Sequence, residues 1–157
     1  MKHLLLPGVL ALFFATSTSC ANSTASNPPS ENNQNDPSKV IYLTKETFKT
    51  EVFNYETQKE WKYTGKVPAI LDFYADWCGP CRMVSPLLEE LQKEYDGKIQ
   101  VFKVNTDNER ELAATFGIQS LPTIVFIPME GQPQAILGFR PKEDLQKMVT
   151  DVLKVQR

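Results

Sequence analysis

The chain has 157 residues, 41% of them hydrophobic and 23% charged, which suits one soluble globular domain of about 100 to 150 residues with appendages. Seventeen Lys and Arg against 19 Asp and Glu leave a formal net charge of -2. That balance supplies no basic footprint and no run of like charge, so nucleic acid is not expected as a partner.

Residues 1–19 read as an export signal rather than part of a fold. Lys2 precedes an apolar stretch from Leu4 to Ala15 that is interrupted by Pro7-Gly8 and ends in small polar residues. A bilayer span needs roughly 20 apolar residues, which this stretch lacks. The run Ser17-Thr18-Ser19-Cys20 resembles a bacterial lipobox, with Ser17 where an aliphatic residue is usual. The expectation is acylation of Cys20 and anchoring by lipid in a bacterial envelope; the alternative is secretion into the periplasm after cleavage at Ala21. Either way Cys20 is withdrawn from redox chemistry, and processing also removes His3, the one histidine. Residues 20–39, rich in Asn, Ser and Pro, have almost nothing to bury and read as a flexible tether spanning roughly 20 to 25 Å.

From residue 40 to residue 157 the patterning is that of a folded α/β domain. Val40 to Leu43 predicts a short strand, and Lys45 to Asn54 a helix entered through Thr44 as its cap. Glu56 to Lys66 is polar, a connection or a frayed extension of that helix. Ala69 to Tyr74 is a near-continuous apolar run, the pattern of a strand buried on both faces. After Cys81, Val84, Leu87, Leu88, Leu91 and Tyr95 recur at helical spacing up to Asp96-Gly97, with Pro86 inside and expected to bend the axis.

Ile99 to Val104 predicts a second buried strand, and Asp107 to Phe116 a short helix closed by Gly117. Thr123 to Ile127 and Gln134 to Leu137 predict two strands joined by a hairpin loop, and Leu145, Met148, Val149, Val152 and Leu153 a final amphipathic helix. Early crossovers imply parallel strands and the late hairpin an antiparallel edge. The sheet is therefore expected to be mixed, with helices on both faces.

Cys78-Gly79-Pro80-Cys81 sits directly after a predicted strand and opens a predicted helix, the setting in which two cysteines so spaced are redox-active. The positive end of a helix favours a thiolate, so Cys78 is the expected nucleophile and Cys81 the resolving thiol. Other roles for the pair fit less well. Zinc needs four N or S ligands, and the processed chain offers two sulfurs and no imidazole, which also excludes a Cys-His hydrolase. A purely structural bridge across two residues would constrain little chain entropy. No metal and no separate cofactor is expected. Asp72 interrupts a buried strand, where burial should raise its pKa and fit it to exchange a proton with Cys81 through a water; the bland alternative is an acid turned to solvent by a bulge.

Asp72-Phe73-Tyr74-Ala75-Asp76-Trp77-Cys78-Gly79-Pro80-Cys81-Arg82-Met83 resembles the active-site segment of the thioredoxin family, and the element order over about residues 40 to 157 matches the family's. The resemblance implies a thioredoxin fold and a protein-disulfide reductase that uses Cys78 and Cys81. Gly117-Ile118-Gln119-Ser120-Leu121-Pro122-Thr123 is similar to the family's segment with a cis-proline facing the cysteines. It implies a cis Pro122, with Ser120 and Leu121 beside it receiving an extended substrate. Trp77 and Gly138 correspond to positions flanking that groove, Gly79 and Pro80 support the cysteines, and Lys103 corresponds to a lysine near the buried acid, able to pair with Asp72 or to snorkel. Trp61 is assigned to packing.

Exchange through these thiols calls for disulfide-containing proteins as partners, and for a membrane or thiol electron donor outside a monomeric chain. Two alternatives stay open: a periplasmic oxidase or isomerase, because export leads to an oxidising compartment, and a redox-inactive binding module on the same fold.

Overall fold

A computed structural model describes residues 39–157. The export signal (1–19), Cys20 and all of the tether except Lys39 lie outside the described residues.

The described residues form a sheet of order β1-β3-β2-β4-β5, with β1 at Ile41–Tyr42, β2 at Ala69–Tyr74, β3 at Gln100–Asn105, β4 at Thr123–Ile127 and β5 at Gln134–Leu137. Strands β1 and β2 run parallel to β3, β4 runs antiparallel to β2, and β5 antiparallel to β4. The expected mixed sheet is present, and its antiparallel part reaches inward to β2. Helices α1 (Lys45–Glu51) and α3 (Arg110–Thr115) cover one face. On the other lie α2 (Gly79–Glu94) and α4 (Lys142–Met148), which runs on into a π-helical turn at Val149–Leu153.

Side-chain alternation explains the two cores. Ala69, Leu71 and Phe73 of β2 meet Phe48 of α1 and Leu112 of α3, whereas Ile70 meets Val84, Leu88 and Leu91 of α2. Both faces of β2 are covered, which is why its sequence is apolar almost throughout.

Element ends differ from the sequence reading for local reasons. Thr44 and Thr47 cap α1 reciprocally. That helix ends at Glu51 rather than Asn54, because the connection after it folds back: the Thr64 N–H donates to the Val52 carbonyl and the Thr64 hydroxyl to that of Thr50, both at 3.0 Å. Residues 56–66 are thus a packed connection, with Trp61 against Phe53 at 4.9 Å between ring centroids. Helix α3 begins at Arg110, three residues later than expected, because Asn105 holds a turn first. Its side chain accepts the Asp107 N–H at 3.0 Å and its carbonyl the Glu109 N–H at 2.9 Å.

One buried polar residue holds the free edge of the sheet. Lys103 turns its carbonyl toward β1, where the Leu43 N–H donates to it at 2.8 Å, so Val101 and Ile99 turn the same way. Strand β1 is only two residues long and does not reach them. Gln92 of α2, fully buried, fills the gap: its Oε1 accepts the Val101 N–H at 2.5 Å and its Nε2 donates to the Ile99 carbonyl at 3.0 Å. Gln92→Leu keeps most of the volume and leaves two buried backbone groups unpaired, each costing roughly 1 to 3 kcal/mol. Urea unfolding should show a loss of about 2 to 4 kcal/mol; a loss near zero would mean that water replaces the amide.

Candidate active site

The chain leaves β2 at Tyr74, turns through Ala75 to Trp77 and enters α2, with Cys78 as the N-cap residue. Its N–H donates to the Ala75 carbonyl at 3.1 Å, and its Sγ accepts the Cys81 N–H at 3.2 Å. Proline is tolerated at residue 80 because a first-turn N–H has no helical partner to lose. Cys78 and Cys81 are joined as a disulfide, Cα atoms 5.3 Å apart, and pack with Ala75, Tyr74 and Leu121.

Cys78 is 4% and Cys81 2% exposed. Between the two, only Cys78 lines the groove that crosses the site, with Trp77, Gly79 and Pro80 on one side and Ile118 to Leu121 on the other. The Leu121–Pro122 peptide bond is cis, Ser120 is exposed and Pro122 is buried. Gly138 does not line the groove; its N–H donates to the Pro122 carbonyl at 2.8 Å, and its φ of 76° is one that glycine adopts readily.

Trp77 is 70% exposed, yet its indole is held: Nε1 donates to Asp107 Oδ2 at 2.9 Å. Asn105 Nδ2 donates to Asp76 Oδ2 at 3.1 Å, and Arg82 donates to the Asp76 carbonyl at 3.1 Å. The loops after β2 and β3 are clasped by these bonds. Asp107 and the groove-lining Thr106 and Gln119 were not singled out from sequence; they sit in turns, where no periodicity marks them.

Asp72 occupies regular ladder positions, opposite Lys103 on one side and Ile124 on the other, with no bulge. It is fully buried, and neither carboxyl oxygen has a hydrogen-bond partner. Desolvation pushes its pKa up from 3.8 to about 6, against a smaller opposite pull from Lys103. Of the two readings of Lys103, pairing with Asp72 or snorkelling, the direct contact with Asp72 is not made. Lys103, 4% exposed, donates from Nζ to the Ser85 hydroxyl of α2, and its ammonium lies 4.8 Å from the Tyr74 ring centroid and 5.5 Å from that of Tyr42. Ser85 is half-buried, and its position one turn after Cys81, beside the buried stripe of α2, is the signal for it in the sequence.

A carboxyl titrating near 6 in the fold and near 3.8 in the unfolded chain binds more protons folded than unfolded between those values. Stability therefore falls as pH rises from about 4 to 6, and ionised Asp72 costs on the order of 3 kcal/mol above that window. The oxidised Asp72→Asn variant should unfold at higher urea than the parent at pH 8 and at nearly the same urea at pH 4; equal midpoints at pH 8 would contradict the buried, raised carboxyl.

The thioredoxin family model matches residues 39–151. The chain is 47% identical to a thioredoxin of Borreliella burgdorferi over 112 residues, covering 71% of this chain and 96% of that one. It is 38% identical over 110 residues to thioredoxin 1 of Nostoc sp., covering 70% and 94%. Its fold superposes on the crystal structure of chloroplastic thioredoxin z with a TM-score of 0.63 at 28% identity, covering 74% and 96%.

Proposed function

The chain belongs to the thioredoxin family, and on that premise we propose an exported, lipid-anchored protein-disulfide reductase in which Cys78 attacks and Cys81 resolves. Reduction of protein disulfides by the Cys78–Cys81 couple is the family's activity, and the redox group is the disulfide carried in the chain itself. Of the two sulfurs, only the one that caps α2 faces the groove, and that observation carries the assignment of roles.

In the proposed cycle the reduced Cys78 thiolate attacks a substrate disulfide, forming a mixed disulfide and releasing one substrate sulfur, which takes up a proton. The helix end and the Cys81 N–H at 3.2 Å, which meet Sγ in the oxidised form, favour the negative sulfur in the reduced one. Cys81 gives its proton, through a water, to the Asp72 carboxylate and attacks Cys78 Sγ. The internal disulfide closes, the second substrate sulfur leaves, and two electrons have passed to the substrate. An external thiol or membrane donor restores the dithiol. Trp77, Ser120, Leu121 and the cis Pro122 receive the substrate segment, and Gly138 contributes by fixing Pro122. We place the protein, as a monomer, in a bacterial envelope, held by lipid on Cys20 with residues 20–39 as the tether.

The purified protein should reduce insulin with dithiothreitol. Cys81→Ser should lose multiple turnovers and accumulate a mixed disulfide on Cys78; normal turnover by that variant would reverse the assignment. In bacteria, labelled palmitate should enter the parent and not Cys20→Ala, and label in neither would leave a secreted reductase.

A further inference from the structure

Asp72 and Lys103 are register partners on adjacent parallel strands, and both side chains lie on the α2 face of the sheet. Strands in a sheet are about 4.8 Å apart, so a lysine beside a buried carboxylate can close an ion pair with little backbone change. Here it does not. Both Asp72 oxygens are buried without a hydrogen bond, while the Lys103 ammonium is engaged by the Ser85 hydroxyl and lies beside the rings of Tyr42 and Tyr74.

We infer that Ser85 is a positioning residue, which takes the Lys103 ammonium onto its hydroxyl and so keeps that cation off the Asp72 carboxyl. The inference rests on the reading above that Asp72 exchanges a proton with Cys81. An ammonium moved onto Asp72 would stabilise the carboxylate and hold it ionised at the pH where Cys81 must return or receive a proton.

The surroundings leave few other groups to produce the same effect. Tyr42 faces the pair from β1, Tyr74 from the end of β2, Asp76 from the turn after it, and Ser85 and Glu89 from α2, where Cys81 is buried one turn before Ser85. Strand β4 presents Ile124 opposite Asp72, and α4 adds Leu145 and Val149 to the apolar cluster on that face. Burial raises the cost of a negative charge at Asp72. Lys103 is the cation whose field at Asp72 opposes that cost, which makes the place of its ammonium decisive.

The test reads Asp72 directly, by carbon-detected NMR titration of the full chain with labelled aspartate, Asp72 being assigned with Asp72→Asn. Ser85→Ala should lower the Asp72 midpoint by about one pH unit, as expected when a carboxylate gains a cation partner. Ser85→Thr, which keeps the hydroxyl, should restore the parent midpoint. In a Lys103→Met background, Ser85→Ala should have no further effect. An unshifted midpoint in Ser85→Ala would overturn the inference, and so would an equal shift with and without Lys103, which would assign the serine a packing role. Insulin reduction at the parent rate by Asp72→Asn would instead sink the proton-exchange reading and leave the titration result standing.

Discussion

Strand β2 is held along its length by two ladders, parallel to β3 and antiparallel to β4, and the redox site takes its geometry from that confinement. A strand paired on both sides cannot slip by one residue without carrying Asp72 and its neighbours to the opposite face and mismatching both cores. Its C-terminal end therefore delivers the chain to one place, where three residues of loop set Cys78 at the head of α2. The same two ladders bring in the other parts. Pairing with β4 carries the Leu121–Pro122 segment, which enters that strand, up against the cysteines. Pairing with β3 sets Lys103 beside Asp72 and carries the turn that supplies Thr106 and Asp107.

The confinement also makes the acid costly. A carboxyl at the middle of β2 is shielded from solvent, and neither of its oxygens finds a hydrogen bond. Folding alone would favour an apolar residue there, since a buried carboxylate opposes the native state whenever it is ionised. On the proposed reading Asp72 is the proton site of the exchange, lying on the sheet face that α2 covers with its pKa raised to about 6. The stability lost to one ionised acid is tolerable because two separate apolar clusters pack the faces of the sheet, and because Gln92 closes the edge that β1 leaves open.

Local chemistry made much of this legible in the sequence. The near-continuous apolar run from Ala69 to Tyr74 marked the doubly covered strand, the break in it at Asp72 marked the acid, and the two cysteines at the strand-to-helix junction marked the site. Resemblance to a family, rather than periodicity, supplied the cis Pro122. What escaped is tertiary. Ser85, half-buried, and Gln92, fully buried, are polar residues on an otherwise amphipathic helix, and their partners are backbone or side-chain groups in and just before β3 that only the folded register brings near. The sequence pattern places the start of α3 at Asp107, three residues early, because nothing local tells that Asn105 first takes Asp107 and its neighbours into a turn. The π-helical turn after Met148 left no trace in the pattern, because Val149, Val152 and Leu153 stay buried through it.

Trp77 shows how a largely solvent-facing residue can still be a fixed part of the site. At 70% exposure its ring would sample several rotamers were it free, and a mobile ring would have to be ordered again at each encounter. The bond from its indole to Asp107 ties it to the turn after β3, and the Asn105–Asp76 and Arg82–Asp76 bonds hold that turn against the start of α2. One wall of the groove is thus ordered before any substrate arrives, and the other is held by the bond from Gly138 to the Pro122 carbonyl. A groove ordered on both walls, with a broad apolar ring on one and extended backbone on the other, demands little of a partner's side chains. On the proposed reading its selectivity rests on whether a disulfide can be presented in an extended segment. That requirement suits a reductase acting on many unrelated proteins better than a module built to hold one.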